Sequence, residues 1–234
     1  TVFFGGGVEA TKIVSGTSMP AAYLEFAQLY GIRSVSVPLT MGWTRDDRDS
    51  ALVPTMGRLQ KVQAELGVGG DTRYVRGNYQ FQQYIPLNRQ FTVALNADLG
   101  WGKGVGGKLF PVFKNFFGGG LGSVRGFEQG TLGSRDVTGS FIGGSKKVGI
   151  NAELLAPFPG AGNDRTLRVF GFFDAGNVYG EAEKVDFANM RASVGVGLSW
   201  LSPVGPLRIA FANPVRKFSG DKIQKVQFQI GTSF

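Results

Sequence analysis

The sequence predicts an all-β fold, a transmembrane antiparallel β-barrel wall of about ten strands, on three observations. Apolar residues recur every second position rather than every 3.6 through most of the chain. The alternating segments run about ten residues, the length that a tilted strand needs to cross a bilayer. No stretch approaches the roughly 18 to 20 consecutive apolar residues of a membrane helix.

Ten segments carry the pattern: residues 1–10, 33–44, 57–67, 73–85, 90–101, 147–156, 166–175, 190–201, 206–213 and 225–234. In the second, Val35, Val37, Leu39, Met41 and Trp43 oppose Ser34, Ser36, Thr40 and Gly42. In the fourth, Val75, Gly77, Tyr79 and Phe81 oppose Arg76, Asn78, Gln80 and Gln82. The fifth sets Phe91, Val93, Leu95, Ala97 and Leu99 against Thr92, Ala94, Asn96 and Asp98. Ala192, Val194, Val196, Leu198 and Trp200 oppose Ser193, Gly195, Gly197 and Ser199, and the last segment sets Val226, Phe228, Ile230 and Phe234 against Gln227, Gln229 and Ser233. A large soluble antiparallel sheet is the competing reading. It would show shorter strands and a polar face dominated by charge rather than by Gly, Ser, Asn and Gln.

The connections alternate in character. On the side of Phe234 lie residues 45–56, 86–89, 157–165 and the tight Ser202-Pro203-Val204-Gly205; on the other lie 11–32, 68–72, 102–146, 176–189 and 214–224. Short turns on one side and long loops on the other are the asymmetry of outer-membrane barrels. Trp43, Tyr84, Trp101, Trp200 and Phe234 sit near strand ends, where interfacial girdles form.

Composition agrees and excludes chemistry. The 234 residues include 37 Gly, 20 Phe, no Cys and no His. Without Cys there is no disulfide framework or thiolate zinc site, and without His the commonest nucleophile activation is missing, so no enzyme activity, metal or cofactor is expected. The net charge of +8 admits nucleic acid, an anionic membrane surface or a basic lumen; the strand pattern favours the last two. Lys146, Lys147, Arg216 and Lys217 fall on the long-loop side, where they could meet anionic lipopolysaccharide, but an ordinary solvated charge is the preferred reading.

Two motif matches are set aside. Gly102-x-Gly104-x-x-Gly107 fits a dinucleotide fingerprint and follows a strand, but Pro111 and a Phe-rich stretch replace the required helix. Asp46, Asp47 and Asp49 lack calcium-loop spacing and read as a solvated turn.

The anomaly is the segment 102–146, which lacks strand periodicity between two good strands yet carries Phe110, Phe113, Phe116, Phe117, Leu121, Val124 and Phe127. Structureless loops beyond about 12 to 15 residues are usually functional or disordered. This one is too aromatic for disorder, and the barrel lumen is the nearest cavity. At its centre Gly118-Gly119-Gly120-Leu121-Gly122-Ser123 leads into Val124-Arg125-Gly126-Phe127.

That tetrapeptide resembles the sixth-loop signature of the BamA family of outer-membrane insertases and transporters. Phe113 to Phe117, Ala152-Glu153-Leu154-Leu155-Ala156-Pro157, Phe172-Phe173-Asp174-Ala175-Gly176, Trp200 to Pro206 and Gln227 to Phe234 are similar to the family's blocks, in the family's order. The resemblance implies that Arg125 enters the lumen and pairs with wall carboxylates, which matching blocks place at Glu153 and Asp174. Alternation separately turns both inward: Glu153 opposes Ile150, Ala152 and Leu154 in parity or position, and Asp174 opposes Val169 and Phe173. An arginine fork can bridge two carboxylates where lysine offers a point charge. Val226, Phe228, Ile230 and Phe234 resemble the terminal signal of barrel proteins, on a strand that in the family closes against the first at a weak seam.

The family barrel has sixteen strands preceded by periplasmic domains. Aligned by its motifs, this chain starts near the seventh strand, so residues 1–234 are expected to be the C-terminal portion of one barrel domain, strands seven to sixteen, with 102–146 inserted and the periplasmic domains absent. The implied function is insertion of nascent barrel proteins through the seam, in the bacterial outer membrane. The implied partners are those substrates, assembly-machinery lipoproteins, outer-membrane lipid and lipopolysaccharide, and no nucleic acid. A polypeptide-secreting transporter of the same family is the alternative.

Overall fold

The computed structural model describes residues 1–14, 16, 19–161, 164–203 and 205–231. Phe234, expected at the end of the seam strand, lies outside the described residues, as does Val204 in the tightest turn.

A single antiparallel sheet forms the wall. Its strands are β1 (Val2–Gly6), β2 (Glu9–Lys12), β3 (Arg33–Asp46), β4 (Gly57–Gly70), β5 (Tyr74–Pro86), β6 (Thr92–Gly104), β10 (Lys146–Pro157), β11 (Leu167–Tyr179), β12 (Arg191–Ser202), β13 (Gly205–Arg216) and β15 (Val226–Ile230). Neighbours in sequence are neighbours in space, in the order β1-β3-β4-β5-β6-β10-β11-β12-β13-β15, with β2 also on β3. The remaining short strands lie in the connections: β7 (Gly126–Phe127), β8 (Ser134–Arg135), β9 (Phe141–Gly143) and β14 (Ile223–Gln224). The sheet forms a partial barrel whose first and last strands do not pair with each other among the described residues.

The first expected strand, 1–10, is split. Val2–Gly6 pairs with Leu39–Trp43 and Glu9–Lys12 with Arg33–Ser36, and the interruption falls opposite Pro38, which has no N–H to give the ladder. The register of β3 on β4 also shifts between Ser36 and Pro38, as a bulge would require.

Exposure is inverted relative to a soluble sheet. Phe228 is 73% exposed, and Phe4, Met41, Leu154, Val196 and Phe211 also point outward, whereas the buried side includes Arg125, Glu153, Arg168, Asp174 and Gln227. An apolar outer belt around a polar interior is what a bilayer demands of a barrel wall. Trp101 and Trp200 stand on the outer face. Tyr84 does not: it shares parity with Arg76 and Gln82, packs against the lumen cluster of Ala94, Leu155, Phe170 and Phe172, and so leaves the girdle proposed for it.

Part of the glycine excess makes room for inward aromatic rings. A Cβ at Gly195 or Gly197 would stand 2.5 or 2.3 Å from the ring of Phe172 or Phe170, one at Gly67 2.5 Å from Tyr74, and one at Gly102 2.5 Å from Phe110. Inward glycines on one strand make the floor on which an aromatic ring from a neighbouring strand or from the loop lies flat. Gly102 and Gly104 thus serve packing, with Phe110 and the Lys108–Leu109 backbone folded against them.

The connection 13–32 contains a helix that alternation did not predict, α1 (Ala21–Tyr30). Only Phe26 of it is buried, edge-on to Phe113 of the long loop at 5.6 Å between ring centres. On the opposite end of the wall, the turn after β3 folds back so that the Val53 and Pro54 carbonyls each accept from the Arg168 guanidinium at 2.8 Å.

Candidate functional site

The long loop is compact. After β6 it makes a 3-10 turn at Val112–Lys114, bridges Phe116 to Gly144 and Gly118 to Leu132, and reverses at Gly120–Ser123. Gly119 and Gly120 hold φ of +95° and +87°, which side chains rarely adopt, and a Cβ at Gly119 would meet the Glu128 carbonyl at 2.4 Å. The turn thereby delivers Val124-Arg125-Gly126-Phe127 to the inner wall, with Val124, Phe127 and Leu132 forming a buried cluster.

Arg125 is 1% exposed. Its Nε and Nη2 donate to the two carboxylate oxygens of Asp174 at 2.7 and 2.6 Å, and Nη1 donates to Glu153 Oε1 at 2.6 Å. The Arg125 backbone N–H adds a bond to Asp174 Oδ2 at 2.9 Å. Asp174 also accepts from Asn151 Nδ2 at 2.9 Å, and the same Asn151 amide donates to the Ser123 carbonyl at 2.8 Å. Beneath the guanidinium lies the Phe172 ring, 3.6 Å from Cζ to ring centre. Burial works against the Arg125 charge, and the Asp174 and Glu153 carboxylates outweigh it, holding the group above the ordinary arginine range.

The wall supplies a second cation. Arg208 of β13 donates through Nη2 to both oxygens of Glu153, at 2.5 and 2.6 Å, and stacks over Phe170 with Cζ 4.5 Å from the ring centre. Two arginines and two carboxylates therefore form a charge-balanced quartet on a floor of two phenylalanines, with Arg125, Glu153 and Asp174 buried and the Arg208 side chain 35% exposed. A balanced arrangement is needed, because an unpaired buried ion costs several kcal/mol.

The structure thus brings Arg125, Glu153 and Asp174 together. Val226, Phe228 and Ile230 stand apart from them on the outer face of β15. No cluster of three or more metal-ligating side chains occurs among the described residues.

Residues 4–234 match the model of the Omp85 superfamily domain. The chain belongs to the Omp85 superfamily. It is 37% identical to the outer membrane protein assembly factor BamA of Neisseria meningitidis, over all of this chain and 34% of that protein, and 29% identical to the human sorting and assembly machinery component 50 homolog, over 86% of this chain and 46% of that one. The crystal structure of BamA from Haemophilus ducreyi lacking POTRA domains 1-3 superposes with a TM-score of 0.85 at 26% identity, covering 97% of this chain and 49% of that chain. The chain therefore spans about a third to a half of the length of these three relatives.

Within this Omp85 wall, sequence reasoning missed four participants. Arg208 had a signal, as the one charged side chain on the inner face of segment 206–213. Asn151 and Phe172 share inward parity with Glu153 and Asp174, so alternation placed them without naming their partners. Lys114 gave no signal: its Nζ pairs with Glu9 and Glu65 at 2.7 and 2.8 Å, tying the loop's first turn to β2 and β4. Tyr74 donates to the same Glu65, and Arg76 Nε donates to the Lys114 carbonyl at 3.1 Å. Two of the basic residues within reach of lipopolysaccharide, Lys146 and Lys147, are engaged within the protein. Lys147 pairs with Asp98 at 2.6 Å, and Lys146 donates to the Glu181 and Glu183 carbonyls.

Proposed function

We propose that this chain is the working part of an outer-membrane insertase, one that folds nascent β-barrel proteins into the bacterial outer membrane at the seam strand β15 and does so without chemical catalysis. The observation that carries the reading is how short the ladder of β15 is among the described residues: five residue pairs with β13, Leu207 to Phe211, against ten between β11 and β12. An unpaired strand edge in lipid leaves donors and acceptors unsatisfied at several kcal/mol per group, so it templates an incoming strand. Outward Val226, Phe228 and Ile230 keep that edge at bilayer depth.

The names of the Neisseria and Haemophilus relatives support the assembly role. The docked loop does not separate this reading from secretion, because the loop signature is shared by the insertases and transporters of the family; steady conductance with the loop deleted would favour secretion. The same proposal takes the chain as the last ten strands of a larger barrel. Its partners would be nascent barrel proteins, lipoproteins of the assembly machinery, and outer-membrane lipid and lipopolysaccharide.

The test is disulfide trapping, which suits a chain with no native cysteine. Single cysteines along β15 of the full-length protein should capture cysteines in the terminal strand of an assembling porin, in one register. Normal porin assembly with no β15 adduct at any register would remove the seam from the mechanism.

A further inference from the structure

We infer that Gln227 is a positioning residue that couples docking of the arginine loop to closure of the seam strand. This builds on the proposed role of the seam for its meaning in the cell.

Gln227 sits in β15 opposite Ala210 and is 4% exposed, pointing into the lumen. A primary amide presents one acceptor and a pair of donors. Here Oε1 accepts from the Gly126 N–H at 3.3 Å and Nε2 donates to the Phe127 carbonyl at 2.7 Å. The side chain therefore reads the backbone of the two residues that follow Arg125. The adjoining segment adds main-chain contacts: Ile223 and Gln224 of β14 pair with Phe127 and Gly126 of β7, and Glu128 N–H donates to the Lys222 carbonyl at 2.9 Å.

The approach depends on small residues. Ala210 and Ala212 of β13 leave a shallow floor, and a Cβ on Gly126 would stand 3.1 Å from Cβ of Ala212. Gly126 also holds φ of +88°. The motif backbone thus lies against β13 and beneath β15 at the point where the sheet ends.

Linkage follows. Among the described residues β15 pairs with β13 over five residues, so the two Gln227 bonds to Gly126 and Phe127 are a substantial addition to a short ladder. A strand that peels away must break both Gln227 bonds, and a loop that undocks from Glu153 and Asp174 withdraws those same bonds from the strand. Coupling of this kind is reciprocal. Arg125 docking on β10 and β11 is felt at β15 through Gln227, and the wall and the seam move as one device.

Hydrogen exchange on the folded full-length protein in lipid nanodiscs tests the coupling apart from any assembly assay. Gln227→Leu removes the amide oxygen that accepts from the Gly126 N–H and one of the two donors to the Phe127 carbonyl, which keeps the Gly120 N–H, and should speed exchange in 126–128 and 222–230 by about tenfold, as loss of about one such bond would. Arg125→Ala should also speed exchange in 222–230, but in the Gln227→Leu background its added effect there should fall below about twofold. Unchanged exchange in 222–230 in either single variant, or two effects that simply multiply, would overturn the inference. If Gln227→Leu does not fold, the unaltered protein decides: under rising denaturant the segments 126–128 and 222–230 should open with one free energy and one slope, and separate openings would overturn the coupling. Failed β15 trapping with intact coupling would remove the seam's role while leaving Gln227 as assigned.

Discussion

The inserted loop is held at two poles that differ in kind. At one, Arg125 is sealed against the wall, its side chain 2% exposed between carboxylates 7% and 0% exposed; at the other, Lys114 is 15% exposed between Glu9 at 39% and Glu65 at 18%. Both are one cation between two carboxylates at similar distances. What separates them is water. The buried planar fork fixes direction and cannot be left half-paired, whereas the point charge near the loop side is screened and replaceable. The first pole sets where the loop docks, and the second trims it.

The largest effect should come from Arg125→Ala, which leaves the buried Asp174 without its cation, with Asn151 as remaining donor, while Glu153 keeps Arg208. A loss of about 3–5 kcal/mol in docking is expected for breaking one side of such a pair, read as new protease sites within 102–146 and a lower unfolding temperature in detergent. Arg125→Lys should lose less, about 1–3 kcal/mol, because an ammonium reaches one carboxylate but gives up the fork on Asp174. Gly126→Ala should fall in the same range, about 1–3 kcal/mol, since its φ of +88° and the nearby Ala212 both resist a Cβ. Its signature is different: thermal stability falls while the quartet's charges remain intact. Lys114→Ala should cost only about 1 kcal/mol or less, and the difference from the parent protein should shrink in high salt. A salt-dependent Arg125→Ala or a salt-independent Lys114→Ala would erase the distinction between the poles.

Much of the wall was legible because its signal is local. Each long strand repeats Ser34/Val35-type alternation for ten or more residues, and the bilayer enforces that pattern from outside. Inward parity also carried Glu153 and Asp174 to the lumen, and the family motif supplied Arg125. Tyr84 shows the same rule neglected: its parity with Arg76 and Gln82 outweighs its place at a strand end. What stayed hidden was non-local. α1 is a ten-residue helix whose one buried side chain rests on Phe113, and helices this short depend on such packing. Gln227 read only as a polar residue on the inner face, because its partners lie 100 and 101 residues earlier in the chain. Lys114 was invisible for the same reason, with Glu9 lying 105 residues away.

The central claim is that the loop is seated by the buried arginine and only trimmed by the lysine. Limited proteolysis of the full-length protein in lipid, comparing cleavage within 102–146 for Arg125→Ala and Lys114→Ala side by side, tests it most directly. The account predicts rapid cleavage in the first and near-parental protection in the second; equal protection in both, or faster cleavage in Lys114→Ala, would contradict it.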